Sequence, residues 1–458
     1  MKGSTMTRRS TFRRTATRAA ALGLGLALAG SLAACSSGSG SGSGSAEGSP
    51  DDIAAALTEK QTITVWAWAP AVEPIAEAFE KKYPDITVDV QNVGTGADQY
   101  TKLQNAIKAG KGAPDVAQIE YFAVPQFSLA SSLADLGGYG FGDLEGDFTA
   151  STWNSVTDGD QIWALPQDSG PMAMFYRQDV FDKYGIDVPT TWDQYVAAAK
   201  KMHDADPNQY ITSDSGDAGF TTSMIWQAGG HPYTVDGENV TINMQDEGAK
   251  KYTAMWDQLV EGGELAQTPG WTDEWFRGLS DGSIATLLTG AWMPGNLEAQ
   301  AADGSGQWRV APMPQYEEGD TATAENGGSS VAVMEQSEHK AAAAAFAKFA
   351  TAEEEGRTIS MDAGGFPSTT ADLTSEEFTS EAPEYFGGQK INEVLGQAAQ
   401  DVLPDWQYLP FQVYANSIFS DSASSAYTNG SSLEPVLEKW GQSSASYGEE
   451  QGFTVSDE

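Results

Sequence analysis

The chain alternates short β-branched runs with stretches whose apolar residues recur at helical spacing. In the first such stretch, Ile75, Phe79 and Tyr83 fall on one helix face. The elements predicted in this way are a strand at 62–66, a helix over 70–83, a strand at 86–90, a helix over 100–109 and a strand at 115–119. This βαβαβ order requires a parallel sheet with helices over its faces.

A similar alternation returns in the second half of the chain. The segments 191–194 and 351–354 each have the spacing of a capping box, which predicts that a helix begins there. Between them, residues 284–288 form a continuous apolar run of the length expected for a fully buried strand. A chain of 458 residues is too long for one core, so we expect two α/β lobes.

Aromatic rings and a carboxylate follow three of the predicted strands. Open α/β sheets bind ligands at the carboxyl ends of their strands. Trp66 and Trp68 stand at the first of these positions, Glu120 and Tyr121 at the second, and Trp292 at the third. We therefore predict a binding site lined by aromatic rings along this edge.

Tryptophan usage strengthens that prediction, because the chain holds 13 tryptophans. An indole face packs well against the C–H face of a pyranose ring, and carboxylates and amides then bind the hydroxyls. For any single tryptophan the alternative is ordinary core packing, which we expect of Trp192 and Trp256. Seven others are flanked by Gly, Pro or polar residues: Trp66, Trp68, Trp226, Trp271, Trp275, Trp292 and Trp406.

The N-terminus has the layout of a secretory leader. A basic stretch over 2–18 precedes a short apolar run over 19–34, and Cys35, the only cysteine, comes next. The sequence Leu-Ala-Ala-Cys at 32–35 resembles the lipobox of bacterial lipoproteins, which implies removal of 1–34 and a lipid on Cys35. An ordinary cleavage site with an incidental cysteine is the alternative. We expect 35–61, rich in Gly and Ser over 36–49, to be a flexible tether.

Charge and composition exclude several classes of protein. The formal net charge is −39, and about −45 without 1–34, so binding to nucleic acid is excluded. A single cysteine excludes an intramolecular disulfide. The three histidines, His203, His231 and His339, lack the spacing of metal ligands, so we expect no metal and no cofactor. Paired carboxylates for glycoside hydrolysis stay open, although no acid stands out.

Four stretches resemble the extracellular solute-binding proteins of ATP-driven (ABC) importers, in particular the carbohydrate-binding group that includes maltose-binding protein. They are ITVWAWAPAVEPIAEAFEKKYPDITVDV (63–90, continued over 102–121), IWALPQDSGPMAMFYRQDVFDKYGIDVPTTWDQY (162–195), GSIATLLTGAWMPGNL (282–297) and ENGGSSVAVMEQSEHKAAAAAFAKFATAEEEG (325–356). The resemblance implies a monomeric receptor without enzymatic activity. It would bind a mono- or oligosaccharide at the outer face of the cytoplasmic membrane and deliver it to ABC permease subunits.

The resemblance also implies a two-lobed fold with mainly parallel sheets and a ligand cleft at the hinge. Lobe 1 is expected over 62–168 plus 291–333 and lobe 2 over 169–290 plus 334–458. Crossings are expected near 167–170, 288–292 and 333–337. By position in the family, ligand contacts are expected at Trp66, Trp68, Glu120, Tyr121, Asp168, Ser169, Trp292 and Asn326, and in variable loops at Trp226, Gln227, Trp271, Trp275, Phe366 and Trp406.

Three other functions stay open at this point. Tryptophans beside acids also suit a cationic solute, which they attract through cation–π interactions. A secreted glycoside-active enzyme and a structural or adhesive surface lipoprotein are the others. One departure from the family matters here: some relatives carry a site lysine where this chain has Trp68-Ala69-Pro70. The identity of the ligand therefore does not follow from the resemblance.

Overall fold

The computed structural model describes residues 48–456. The predicted leader, Cys35 and most of the tether lie outside the described residues. The strands are β1 (Gln61–Trp66), β2 (Ile86–Gln91), β3 (Val116–Glu120), β4 (Thr157–Asp158), β5 (Gln161–Ile162), β6 (Leu165–Pro166), β7 (Met172–Arg177), β8 (Thr212–Ser213), β9 (Tyr233–Asp236), β10 (Asn239–Ile242), β11 (Leu265–Ala266), β12 (Thr286–Gly290), β13 (Trp308–Ala311), β14 (Ser329–Val333) and β15 (Thr454–Ser456).

Helices surround these strands, and short 3-10 turns link several of them. The α-helices are α1 (Pro50–Ala56), α2 (Val72–Lys82), α3 (Ala97–Ala109), α4 (Val124–Leu129), α5 (Ala150–Asn154), α6 (Gln178–Tyr184), α7 (Trp192–Ala205), α8 (Ala218–Gln227), α9 (Glu247–Gly262), α10 (Asp273–Asp281), α11 (Pro294–Gln300), α12 (Lys340–Thr351), α13 (Glu354–Asp362), α14 (Thr370–Leu373), α15 (Glu376–Ser380), α16 (Ile391–Gln400), α17 (Gln412–Asn429) and α18 (Glu434–Gln451). None of these helices is long and apolar enough to cross a bilayer.

The first sheet has the strand order β2-β1-β3-β14-β6. Strands β2, β1 and β3 are parallel, as the βαβαβ pattern predicted, and β14 alone runs in the opposite direction. Side chains alternate between the two faces: Ile63 and Val65 enter one buried cluster, while Ala117 and Ile119 enter another. Helices cover both faces, so this sheet is the centre of one lobe.

The second sheet is built around β7, whose six residues are all buried. Strands β12 and β13 flank β7 in antiparallel register, and a parallel bridge between Tyr210 and Ile284 brings β8 and β11 alongside β12. Met172 and Met174 face one cluster, whereas Ala173 and Phe175 face another. This sheet therefore also carries packed layers on both faces and forms the centre of the second lobe.

Strand pairing differs from the predicted lobe division in two segments. Strand β13, expected in lobe 1, pairs with β7 of the second sheet, because Trp308 and Val310 join the core around Phe175. Helix α12, expected in lobe 2, packs on the first sheet, where Phe346 and Phe349 contact Phe79. The aromatic side chains of these two segments pack into cores that are formed by residues distant in sequence, so sequence order does not predict where the segments lie.

The chain crosses between the sheets in three segments. The first crossing joins β6 to β7 over 167–171, which coincides with the predicted position near 167–170. The return runs over 312–328, between β13 and β14, rather than at 288–292, and the third crossing runs over 363–369, after α13, rather than at 333–337. Residues 288–292 instead end β12 within the second sheet.

The predicted tether also needs correction at its end. Residues 50–56 form helix α1, which begins at Pro50 and is capped by the side chain of Ser49 accepting from the Asp52 amide. Its partly buried Ile53 and Ala56 pack against the same core as α12. The folded part of the chain thus starts about ten residues earlier than predicted.

Candidate functional site

The three crossing segments lie side by side and are hydrogen-bonded to one another. The amide of Asn326 donates to the carbonyl of Gly170 at 2.7 Å, and the amide of Ser169 donates to the carbonyl of Phe366 at 3.2 Å. Crossing segments joined in this way form a hinge between the two sheets. The carboxyl ends of β3 and β12 meet this hinge, because the amide of Tyr121 donates to the carbonyl of Gly328 at 3.2 Å and the indole of Trp292 donates to the carbonyl of Asn326.

Two adjacent glycines bring aromatic rings against the hinge backbone. Gly327 and Gly328 have φ of +82° and +94°, which side chains rarely adopt. A Cβ on Gly327 would lie 2.9 Å from Nε1 of Trp292, and one on Gly328 would lie 2.6 Å from Cε2 of Tyr121. The indole of Trp292 also donates to the carbonyl of Asn326 at 2.6 Å. The glycine pair therefore lets one ring from each lobe approach the floor of the hinge.

The first lobe supplies a wall of half-buried rings. Trp66 and Trp68 pack on the same cluster, and Trp68 meets Tyr100 edge to face with ring centroids 6.3 Å apart. The hydroxyl of Tyr100 donates to Oε2 of Glu120 at 3.0 Å and accepts from the Glu120 amide at 2.9 Å. These contacts orient the Glu120 carboxylate at the end of β3.

The second lobe supplies a cluster of three indoles, two of which are stacked. Trp271 is 57 % exposed and lies nearly parallel to Trp292, with centroids 5.7 Å apart and planes 20° apart. The ring of Trp275 packs against Trp271 at a tilt of 41°, with centroids 5.8 Å apart. Trp271 has φ of +67°, a conformation that costs about 1 kcal/mol or more for a residue with a side chain. An exposed ring held in a strained backbone conformation is a feature of binding sites.

Three carboxylates lie near the hinge. Burial raises the pKa of Glu120 to about 7, although the hydrogen bond from Tyr100 acts in the opposite direction and lowers it. Burial likewise raises the pKa of Asp168 to about 7, and the negative charges of Glu120 and Glu325 also raise it. The hydrogen bond donated by the Ser329 amide lowers the pKa of Asp168. Burial also raises the pKa of Glu325. No ion pair among residues 48–456 involves any of these acids.

A cavity of about 260 Å³ opens between the two lobes. Residues 124–125, 128–129 and 154–158 line it from the first lobe, and residues 235–237 and 406–408 line it from the second. Trp406 stacks on Trp226 with centroids 5.1 Å apart. Of the residues predicted as ligand contacts, Trp406 lines this cavity.

Two aromatic side chains that line this cavity are not among the predicted ligand contacts. Trp163 and Tyr408 are both half-buried and line it together with Trp406. Trp163 lies inside a stretch quoted for the family resemblance, next to the strand-forming Ile162, so its neighbours gave it the appearance of a core residue. Tyr408 packs against clusters of both lobes, a position that only the folded chain reveals.

Six of the predicted contact residues are buried behind the site surface in this structure. Gln227 is 2 % exposed, and its amide accepts from Trp192 and donates to the carbonyl of Pro314. Trp226 is equally buried and supports Trp406. The side chains without surface for a ligand are those of Tyr121, Ser169, Trp226, Gln227, Trp275 and Phe366. By contrast, the half-buried or exposed ones are those of Trp66, Trp68, Glu120, Asp168, Trp271, Trp292, Asn326 and Trp406.

A larger cavity of about 680 Å³ lies on the second lobe, between α16 and the segments 188–190 and 311–323. Its wall contains no aromatic ring, and most of its surface is apolar. It is thus poorly suited to a hydroxyl-rich ligand. Within residues 48–456, no group of three or more His, Cys, Asp or Glu side chains is placed to hold a metal ion.

Two α/β lobes, a three-segment hinge and a polar, aromatic edge define a solute-binding protein. The family model described as bacterial extracellular solute-binding protein matches residues 68–357, and the chain belongs to this family.

Named relatives and solved structures agree with this membership. The lactose-binding protein of Rhizobium radiobacter is 26 % identical over 72 % of this chain and 80 % of its own length. The arabinooligosaccharide-binding protein of Halalkalibacterium halodurans is 26 % identical over 76 % and 81 %. An ABC-transporter-associated binding protein from B. animalis subsp. lactis Bl-04, solved with β-1,6-galactobiose, is 44 % identical, with a TM-score of 0.78 over 87 % of this chain and all of that one. The galacto-N-biose/lacto-N-biose I-binding protein of Bifidobacterium longum, solved with lacto-N-biose, is 26 % identical, with a TM-score of 0.75 over 86 % and 99 %.

Proposed function

We propose that the protein is the solute-binding component of an ABC importer and captures a short oligosaccharide. The observation that carries this proposal is the 44 % identity, over the whole length of the other chain, to a protein solved with β-1,6-galactobiose. The stacked indoles at the hinge supply flat apolar faces for pyranose rings, and the carboxylates beside them supply acceptors for hydroxyls. A disaccharide of galactose is therefore the first ligand to test.

The proposed contacts come from both lobes. The indoles of Trp66, Trp68, Trp271, Trp292 and Trp406 would pack on sugar rings. The rings of Trp163 and Tyr408, which line the cavity between the lobes, are proposed as further contacts. Glu120, Asp168 and Asn326 would bind hydroxyls. Closure of the lobes around the sugar would exclude water and strengthen each of these polar contacts.

Isothermal titration against a panel of neutral disaccharides tests the proposal. We expect β-1,6-galactobiose to bind with a Kd on the order of 1 μM, equivalent to ~8 kcal/mol. Lactose and maltose serve as isomeric comparisons in the same buffer. Absence of heat with every sugar, together with a melting shift from another class of solute, would overturn the assignment.

We also propose that Cys35 is lipidated and holds the protein at the outer face of the cytoplasmic membrane, as a monomer that meets its permease subunits there. The supporting observation is the lipobox-like sequence before the only cysteine. A Cys35→Ala variant is expected to move from the membrane fraction to the medium or periplasm. Retention of that variant in the membrane fraction would contradict the anchor.

A cationic solute is a second candidate, favoured by one observation. Glu120 and Asp168 lie near the hinge, and no ion pair of the described residues neutralises them. Affinity for a cation would fall steeply with added salt, whereas affinity for a neutral sugar would change little. Titration at 20 mM and 500 mM NaCl therefore separates the two candidates.

The family consists of binding proteins, and we propose that this chain performs no catalysis on its ligand. Incubation with galactobiose, followed by assay of reducing ends, tests the statement. Recovery of intact disaccharide is expected, and new reducing ends would favour a glycoside-active enzyme.

A further inference from the structure

Glu325 occupies the centre of the hinge and is 2 % exposed. Its carboxylate accepts from the hydroxyl of Ser151 at 2.8 Å and from that of Ser169 at 3.1 Å. The second carboxylate oxygen accepts from the amide of Gly170 at 2.6 Å. One side chain thus joins the return crossing to the first crossing and to helix α5 of the first lobe.

The backbone of the same residue reaches the second lobe. The carbonyl of Glu325 accepts from the hydroxyl of Ser223 on α8 at 2.7 Å. The adjacent Asn326 also contacts Ser223, through its side-chain amide at 3.2 Å. Glu325 is therefore bonded to both lobes and to two crossing segments at once.

Glu325 also lies next to two of the proposed ligand contacts. The residue before Ser169 is Asp168, and the residue after Glu325 is Asn326, both proposed ligand contacts. Asp168 in turn accepts from the amide of Ser329 at 2.6 Å, at the start of β14. Asp168 and Asn326 are thus next in sequence to residues that the Glu325 carboxylate joins, Ser169 and Glu325 itself.

We propose that Glu325 is the positioning residue of the hinge: its carboxylate holds the first crossing against the return crossing so that Asp168 and Asn326 face one ligand. It contacts no ligand itself. Stability alone does not explain its chemistry, because a buried carboxylate without a cation is expensive to desolvate and an apolar side chain would fill the same volume. The effect on ligand affinity rests on the sugar-binding function proposed above.

Two variants of Glu325 separate its bonds from its charge. In Glu325→Leu the Gly170 amide loses its acceptor, and a buried donor without a partner loosens the crossing. In Glu325→Gln the side-chain oxygen can still accept from Gly170, while the amide donates to the two hydroxyls, which can rotate. We expect the first variant to bind β-1,6-galactobiose at least 10-fold more weakly and the second to stay within about 3-fold of the wild type.

A second buried carboxylate provides the matched control. Asp214 lies in the second lobe, 5 % exposed, and accepts from the amide of Gly216 and the indole of Trp256, again without a cation. Asp214→Leu removes a buried acceptor of the same kind and should leave the affinity for galactobiose unchanged. Should Glu325→Leu fail to fold, Ser151→Ala removes the bond to α5 alone and is expected to weaken binding about 3-fold.

Hydrogen exchange tests the proposal without any ligand. The Gly170 amide should exchange at least 10-fold faster in Glu325→Leu than in the wild type, Glu325→Gln or Asp214→Leu. If the wild type binds no sugar, the proposed function is refuted, but the comparison of hydrogen exchange at Gly170 among the variants remains valid. Unchanged exchange at Gly170 in Glu325→Leu, or a Glu325→Gln variant as impaired as Glu325→Leu, would overturn the positioning role.

Discussion

At the scale of single residues, Trp271 combines three properties that seldom occur together: exposure, positive φ and a ring stacked on another indole. Its outer face has no protein partner large enough to bury it. A residue of this kind contributes little to folding and is available to a ligand.

Trp271→Ala should therefore weaken galactobiose binding about 10-fold, since a stacked ring contributes about 1.5 kcal/mol. The free energy of unfolding should change by less than about 0.5 kcal/mol, as is usual for exposed positions. Titration calorimetry and urea denaturation measure the two quantities. Trp271→Phe, which keeps a smaller ring, should fall between wild type and alanine; equal affinity in all three would exclude a stacking role.

Asp168 gives a pH-dependent prediction. Its pKa in the folded protein, about 7, lies above its ordinary value of 3.8, so the folded state binds more protons than the unfolded state between these values. Its contribution to stability is thus present below about pH 4 and lost as the pH rises toward 7. Relative to wild type, Asp168→Asn should gain on the order of 3–4 kcal/mol between pH 4 and pH 8, because each unit of pKa difference corresponds to about 1.4 kcal/mol.

Denaturation of both proteins at the two pH values measures this difference. Asparagine retains an oxygen for the Ser329 amide, so the hydrogen bond is kept. Asp421→Asn, the same substitution on the exposed face of α17, serves as the surface control. A constant difference between Asp168→Asn and wild type at all pH values would contradict the assignment.

Strand ends predicted which side chains could line a site, but not which of them stay accessible. Trp66, Trp68, Glu120 and Trp292 are half-buried, whereas Tyr121, predicted in the same way, is buried. Gln227 could not be judged, because its burial depends on Trp192 and Pro314, which are distant in sequence.

At the scale of elements, local patterns predicted the first sheet well and the chain crossings poorly. Strands β1, β2 and β3 carry their own alternation, so their pairing follows from adjacent residues. A helix does begin at the segment 351–354, as predicted, since α13 starts at Glu354. Its N-cap is Glu353 rather than Thr351, whose hydroxyl donates to the carbonyl of Ala347 in the last turn of α12. The return crossing was misplaced because β12 ends in the second sheet without any local signal.

The hinge glycines allow a prediction with an internal control. Gly328 and Gly319 share φ of +94°, but a Cβ on Gly328 would strike Tyr121 at 2.6 Å, whereas one on Gly319 has open space. Both alanine variants carry the same backbone cost of about 1 kcal/mol. Gly328→Ala should lose about 1–3 kcal/mol more than Gly319→Ala, because Tyr121 must move.

Urea denaturation of the two variants gives this difference directly. We also expect Gly328→Ala to bind galactobiose more weakly than Gly319→Ala, since displacement of Tyr121 disturbs the carbonyl of Asp168 that its hydroxyl contacts. Equal destabilisation of the two variants would mean that the ring does not pack tightly against the hinge.

At the scale of the whole molecule, length and the βαβαβ pattern were enough to predict two α/β lobes. They were not enough to assign each segment to its lobe. Strand β13 pairs with the second sheet instead of the first, and helix α12 packs on the first sheet instead of the second. We propose instead that the first lobe comprises about 50–166 plus 329–362, and the second about 172–311 plus 370–456. Long-range packing of aromatic side chains decides this division, and sequence order does not encode it.

Hinged lobes predict a change of shape on binding. Saturating galactobiose should decrease the radius of gyration measured by small-angle X-ray scattering, since closure brings the lobes together. Glucose at the same concentration corrects for solvent contrast. A radius that stays constant while calorimetry reports full occupancy would argue against closure.

The parallel indoles of Trp271 and Trp292 also have an optical consequence. Two identical chromophores 5.7 Å apart share their excited states, and the resulting circular-dichroism couplet depends on their mutual angle. A sugar that packs against these two rings and changes their mutual angle would alter that couplet. The protein thus carries its own spectroscopic reporter, readable without any attached dye.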